Sequence, residues 1–286
     1  MRLEIACDES GSEGEKLVGG VTDVFAHASV ALDVGAAQAC VRELREWIRS
    51  PATEYKANHL LREKHRDALV WLLGPSGPIR GHAVVQLVDK ALFLVRRMVE
   101  LLAGDAPGVA DVLHRRGPGE VGGERWAAFL GAFNDLARPR NRRGDGADFF
   151  ADLDYLLRLD LSREVRAALE SIGAGRQRIE EYRARDPREL SLLDPIGPAI
   201  VRAVGYWDAP VSIVHDRQLA LTEYRIARLV ELCGGRLASM RLVAARLDAR
   251  VQVADFLAGV ARRIVSDELA GRGDGELLDL LAPYRI

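Results

Sequence analysis

Carboxylates that interrupt apolar runs are the residues of this chain whose types and spacing could do chemistry. The run Leu3-Glu4-Ile5-Ala6-Cys7 stops at Asp8-Glu9-Ser10-Gly11, and Val211-Ser212-Ile213-Val214 stops at His215-Asp216. A third run, residues 82–88, stops at Asp89-Lys90, and the run that starts at Met240 leads to Leu247-Asp248. A carboxylate at the rim of a sheet is rigidly placed yet reachable by solvent, a position suited to a hard cation. Asp, Glu, Ser and Gly are also ordinary turn residues, so each group taken alone fits a solvated turn as well. Asp255 differs, because it lies inside Gln252-Val253-Ala254-Asp255-Phe256-Leu257-Ala258-Gly259, which is apolar nearly all round. Gln252, Asp255 and Gly259 share one face of a helix, and the small residues Ala254, Ala258 and Gly259 allow close approach to a sheet. Burial there makes an unpaired charge expensive, so Asp255 needs a cation or a donor. A helix N-terminus or an arginine would satisfy it equally well.

The elements that must hold these acids follow from local periodicity. Alternation makes Leu3 to Cys7 a strand with Asp8 on the face opposite Cys7, and Ser10-Gly11 lets the chain turn away. Residues 25–32 form a second strand candidate, paired antiparallel with the first. Ala36, Cys40, Val41, Leu44, Trp47 and Ile48 recur at helical spacing and predict a helix over 36–49, with Pro51 beyond its stop. Thr53-Glu54-Tyr55-Lys56 precedes another helical pattern over 61–73, which Gly74-Pro75-Ser76-Gly77-Pro78 closes. A third strand spans 82–88. Near the C-terminus, the strand from Val211, a helix over 219–233 stopped by Gly234-Gly235, and the strand from Met240 make a parallel crossover unit. A last long helix covers about 251–269.

Between 91 and 210 the pattern is nearly all helical, over 92–102, 125–136, 149–157, 163–172 and 196–207. This reads as a helical insertion within one domain. Its loop Arg138-Pro139-Arg140-Asn141-Arg142-Arg143-Gly144 is the most basic stretch of the chain, and it fits either a phosphate contact or a solvated loop.

Composition narrows the class. With 286 residues, 48% hydrophobic and 29% charged, the chain can bury a sizeable core and is neither disordered nor membrane-bound in character. A formal net charge of -2 provides no global field for nucleic acid, so any such binding must use a local patch. Cys7, Cys40 and Cys233 are scattered without CxxC spacing, against a disulfide framework or a zinc site and in keeping with a reduced cytoplasm. No signal-peptide pattern or transmembrane run is expected. Lysine is rare: Lys16, Lys56, Lys64 and Lys90 stand in a chain that otherwise uses arginine, which points to a need for a compact point charge at Lys56 and Lys90 or to plain surface positions. His59 and His215 are proton-relay or structural candidates.

Together these pieces resemble the family catalogued as domain of unknown function 3800, which is similar in fold to ribonuclease H. Five features carry the likeness: a strand ending in Asp8-Glu9-Ser10-Gly11, the Glu54-x-Lys56 element, the Asp89-Lys90 and His215-Asp216 strand ends, and the run from Leu247-Asp248 to Gly259. It covers roughly 1–90 and 211–263. The resemblance implies a single α/β domain over 1–286, with a ribonuclease H-like five-stranded mixed sheet (three antiparallel strands, then two parallel) flanked by helices. Residues 91–210 would form a helical insertion between strands three and four. It further implies that Asp8 and Asp216 meet at one rim with Asp255 reaching in, binding two magnesium or manganese ions about 4 Å apart. Glu54 would be a fourth catalytic acid, with Glu9 and Asp248 as alternatives, and Lys56 would contact a phosphate. In ribonuclease H the helical glutamate follows the third strand, whereas Glu54 precedes it. The implied activity is a metal-dependent nuclease or phosphodiesterase acting on nucleic acid. The alternative is a noncatalytic module of the same fold that binds nucleic acid or a protein partner.

Overall fold

Alternation in Leu3–Ser10 (β1) sends Leu3, Ile5, Cys7 and Glu9 to one face of a strand and Ala6, Asp8 and Ser10 to the other. The computed structural model describes residues 2–49, 56–104, 106–138, 147–184 and 191–286. In chain order, β1 is followed by β2 (Val24–Val30), α1 (Val34–Ile48), α2 (Ala57–Leu60), α3 (Arg66–Leu73) and β3 (Ala83–Asp89). Helices α4 (Lys90–Leu102), α5 (Val109–Val121), α6 (Gly123–Ala137), α7 (Ala147–Leu156), α8 (Arg163–Gly173), α9 (Arg176–Arg183) and α10 (Ile196–Tyr206) come next. The chain ends with β4 (Val211–Asp216), α11 (Glu223–Leu232), β5 (Leu237–Val243), α12 (Ala249–Leu269) and α13 (Gly275–Leu281).

Two compact units result. The first gathers Met1–Ser12, Val24–Leu87 and Ile196–Ile286, and the second Glu13–Asp23 with Val88–Pro195. These bounds differ from a helical insertion over 91–210 in two ways. Helix α10 joins the first unit, where it packs on β2 and Trp207 Nε1 donates to Ser29 Oγ at 3.1 Å. Segment Glu13–Asp23 joins the second, because Asn134 Oδ1 accepts from Leu17 N–H at 2.8 Å while its Nδ2 donates to the Glu15 carbonyl at 2.7 Å. The second unit has its own core, in which Phe129 and Phe149 stack with centroids 5.0 Å apart beside Phe133, Met98 and Leu94.

In the first unit the sheet order is β3-β2-β1-β4-β5. Strand β1 pairs antiparallel with β2 and parallel with β4, and β4 pairs parallel with β5. Helix α12 crosses the Asp8 face of β1 and β2, burying Val253, Ala254, Phe256 and Leu257 against Ala26, Ala28 and Val30. Its start is set by Asp248, whose carboxylate accepts from Arg250 N–H at 3.0 Å. Gly259 is required by packing, since a Cβ there would fall on Ala57 Cβ of α2. Among the described residues no helix is long and apolar enough to cross a membrane.

Candidate functional site

Parallel pairing of Cys7 with His215 makes Asp8 and Asp216 the next residues on neighbouring strands, at the same end of the sheet. Opposite Asp8 on the other side stands Ala28, whose small side chain leaves the carboxylate room. Asp8 is only 4% exposed. Its Oδ1 accepts from Glu9 N–H at 2.7 Å, and its Oδ2 is buried with no hydrogen-bond partner among the described residues. Burial first, then the charges of Glu9, Asp255 and Asp216, push its carboxyl up to about 9, against the one backbone hydrogen bond that lowers it. The charges of Glu9, of Asp216 on β4 and of Asp255 on α12 thus all bear on the Asp8 carboxyl.

Each neighbouring acid has a protein donor. Asp216 Oδ1 accepts from Ala245 N–H at 2.8 Å, in the turn before α12. Asp255 Oδ2 lies 3.4 Å from Lys56 Nζ, with the lysine side chain about half exposed and the aspartate 15% exposed. Lys56 is delivered by α2, which Gly259 admits against α12, and Lys56 N–H donates to His59 Nδ1 at 3.2 Å at the start of that helix. Arg262 Nε donates to Ser10 Oγ at 3.0 Å, tying the second half of α12 to the end of β1.

The other face of the same strands holds a second buried group. Glu9 stands opposite His27 on β2, accepts from Gln218 Nε2, and has Oε2 3.8 Å from His215 Nε2. His215 Nδ1 lies 2.9 Å from the Asp216 carbonyl, which can only accept, so Nδ1 carries the proton. His215 Nε2 then accepts from His27 Nε2–H at 3.2 Å. Both rings are neutral: burial takes His215 down to about 4 despite Asp216, and burial together with His215 takes His27 well below its usual value.

The expected site residues therefore divide. Asp8, Asp216, Asp255 and Lys56 come together on the α12 face, and Glu9 lies next to Asp8 in sequence but turns to the histidine face. Asp248 is engaged elsewhere, as the α12 cap and as an ion pair with Arg250 at 2.7 Å. Asp89 caps α4, accepting from Leu92 N–H at 2.9 Å. Lys90 is buried in the second unit, where its Nζ meets Glu13 Oε1 at 2.9 Å and Thr22 Oγ1 at 2.6 Å. Glu54 and residues 139–144 of the basic loop lie outside the described residues. His27, Gln218 and Arg262 were not singled out from the sequence. The strand alternation that places Phe25, His27 and Ser29 on one face was the one signal for His27.

Among the described residues no group of three or more His, Cys, Asp or Glu side chains stands ready to hold a metal ion. The donors still fit a hard cation in kind, since all are carboxylate oxygens and Asp8 Oδ2 is a buried acceptor without a donor. Gathering them requires Asp216 and Asp255 to turn from Ala245 N–H and Lys56. In comparisons with known proteins, no family model, no curated protein and no solved structure matches this chain.

Proposed function

We propose that this chain is a divalent-metal-dependent nuclease or phosphodiesterase with a ribonuclease H-like arrangement, of the kind represented by the domain of unknown function 3800 family. One observation carries the reading: Asp8, a buried carboxylate near the end of β1 with an oxygen that has no hydrogen-bond partner among the described residues, is loaded by the charges of Glu9, Asp255 and Asp216. Asp8, Asp216 and Asp255 would hold magnesium or manganese. When bound, such an ion supplies charge for the phosphate oxygens and lowers the pKa of a water.

The chain's own residues do the rest. Asp8, its carboxyl raised to about 9, holds a proton at neutral pH, and a bound cation would favour its ionised form. Lys56, half exposed and paired with Asp255 at 3.4 Å, would offer its ammonium to a phosphate oxygen of the substrate. The buried His27–His215 pair, on β2 and β4, stays neutral and adds no positive charge on the far face beside Glu9, so the charges that bear on Asp8 are those of the acids.

The test combines manganese titration calorimetry with a hydrolysis screen over DNA, RNA, a hybrid and a small phosphodiester. Wild type is expected to bind and cleave, and Asp8→Asn, Asp216→Asn and Asp255→Asn, each with an intact circular dichroism spectrum, to lose about 10²-fold or more in rate. Full activity in Asp8→Asn would sink the reading. A second reading, a noncatalytic module of the same fold that binds nucleic acid or a protein partner, is favoured by the donors that Asp216 and Asp255 already have. It predicts neither metal binding nor hydrolysis in wild type.

A further inference from the structure

Beside the acids, in the same unit, a cleft of about 530 Å³ opens between α2, α3, α13 and the second half of α12. Five arginines line it: Arg62, Arg66, Arg262, Arg263 and Arg272. Three carboxylates share the lining and Glu276 pairs with Arg66 from outside it, which leaves a formal excess of one positive charge in a chain whose net charge is -2. Two of those acids serve as holders. Asp267 binds Arg263 at 2.6 Å and Arg272 at 3.0 Å, and Asp274 binds Arg66 at 2.6 Å. Guanidinium groups held this way keep a fixed plane and lose little entropy when they meet a second anion. Arg62 has no ion pair among the described residues, so its charge is uncompensated there.

Two helices, α2 and α12, run from the acid site to the cleft. On α12, Asp255, Gly259 and Arg262 fall at i, i+4 and i+7, one stripe of the helix. Arg262 is about 10 Å along the axis from Asp255, on the order of three base steps at 3.4 Å of axis each along one strand. On the other wall, α2 places Lys56 at the acids and Asn58 and Leu60 in the cleft.

We propose that this cleft holds the sugar-phosphate backbone of one nucleic-acid strand, flanking a phosphodiester placed at Asp8, Asp216 and Asp255. The inference rests on the phosphodiesterase reading for its direction, but the binding it describes is measured without hydrolysis. Arginines at several points and few aromatic groups suit recognition of phosphate rather than of bases.

The experiment is fluorescence anisotropy of the full chain with labelled single-stranded DNA and RNA, in chelator, over a salt series. Wild type is expected to bind, with log K falling linearly against log salt. Arg62→Gln is expected to weaken binding about threefold to tenfold and to reduce the salt slope by about 0.7. Arg62→Glu should weaken it further, and Arg228→Gln, in a surface pair with Glu231 on α11, should leave it unchanged. Because Arg62 has no ion pair to lose among the described residues, its variants are expected to melt as wild type does. Absence of binding by wild type, or equal affinity and slope in the Arg62 variants, overturns the cleft. Arg62-dependent binding without hydrolysis of any substrate in manganese leaves the cleft standing and removes the catalytic reading instead.

Discussion

Asp8 and the two buried histidines set opposite pH dependences on the same three strands. Asp8 has a folded pKa of about 9 against 3.8 for the free residue, so between those values the folded chain keeps a proton that the unfolded chain has lost. Stability from this group is greatest below about pH 4 and is lost as pH rises to about 9. For His215, with a folded value of about 4 against 6.5, the unfolded chain binds the extra proton, so stability is lost as pH falls from 6.5 toward 4. The two slopes oppose each other below pH 6.5, and above it Asp8 acts alone. Asp8→Asn should therefore raise Tm by a few degrees at neutral pH, at about 2–4 °C per kcal/mol. The gain should grow from pH 6.5 to 9, as followed by thermal melts; a gain independent of pH would refute the burdened carboxylate. Conversely, His215→Gln should flatten the acid limb between pH 6.5 and 4 by about one proton in the slope, read from urea midpoints across that range.

At the scale of elements, the contact of α2 with α12 determines whether Lys56 reaches Asp255. Gly259 offers no room for a side chain because Ala57 occupies the space. Alanine at 259 would gain up to about 1 kcal/mol in helix propensity, but overpacking costs about 1–3 kcal/mol, so the clash wins. We expect Gly259→Ala to destabilise the first unit in urea and, on the proposed phosphodiesterase reading, to lower hydrolysis by displacing Lys56, and the compensating Ala57→Gly to restore both. Failure of the second change to rescue would show that α2 is not positioned through this contact. Helix α4 is anchored differently. Burial alone would raise the Glu13 carboxyl, but hydrogen bonds from Thr22 and Lys90 and from the Val21 and Thr22 amides bring it down to about 2. Removing a buried ion-pair partner can cost about 3–5 kcal/mol. Glu13 is partly exposed and keeps its other donors, so Lys90→Met should cost nearer 1–3 kcal/mol.

On the scale of the whole molecule, two units with separate cores mean that stability is not one number. In hydrogen exchange, Lys90→Met should accelerate exchange in peptides covering Glu13–Asp23 and α4 more than in those covering β1, β4 and α12. Uniform acceleration would mean that the chain unfolds as a single cooperative block. The same division explains what was legible beforehand. By itself the sequence determined the strand that carries Asp8, the strand end at Asp216 and the buried helix bearing Asp255, because alternation and an all-round apolar helix are patterns carried by adjacent residues; that β1 runs on past Asp8 to Ser10 depended on its pairing with β2. It also marked Lys56 by the scarcity of lysine, without showing what it meets. Tertiary structure alone decided that Lys56 meets Asp255, that His27 meets His215 from 188 positions away, and that Lys90 serves Glu13 in the second unit. Contacts across such separations leave no periodic trace in the chain, since each partner's local pattern is satisfied whichever distant residue it faces.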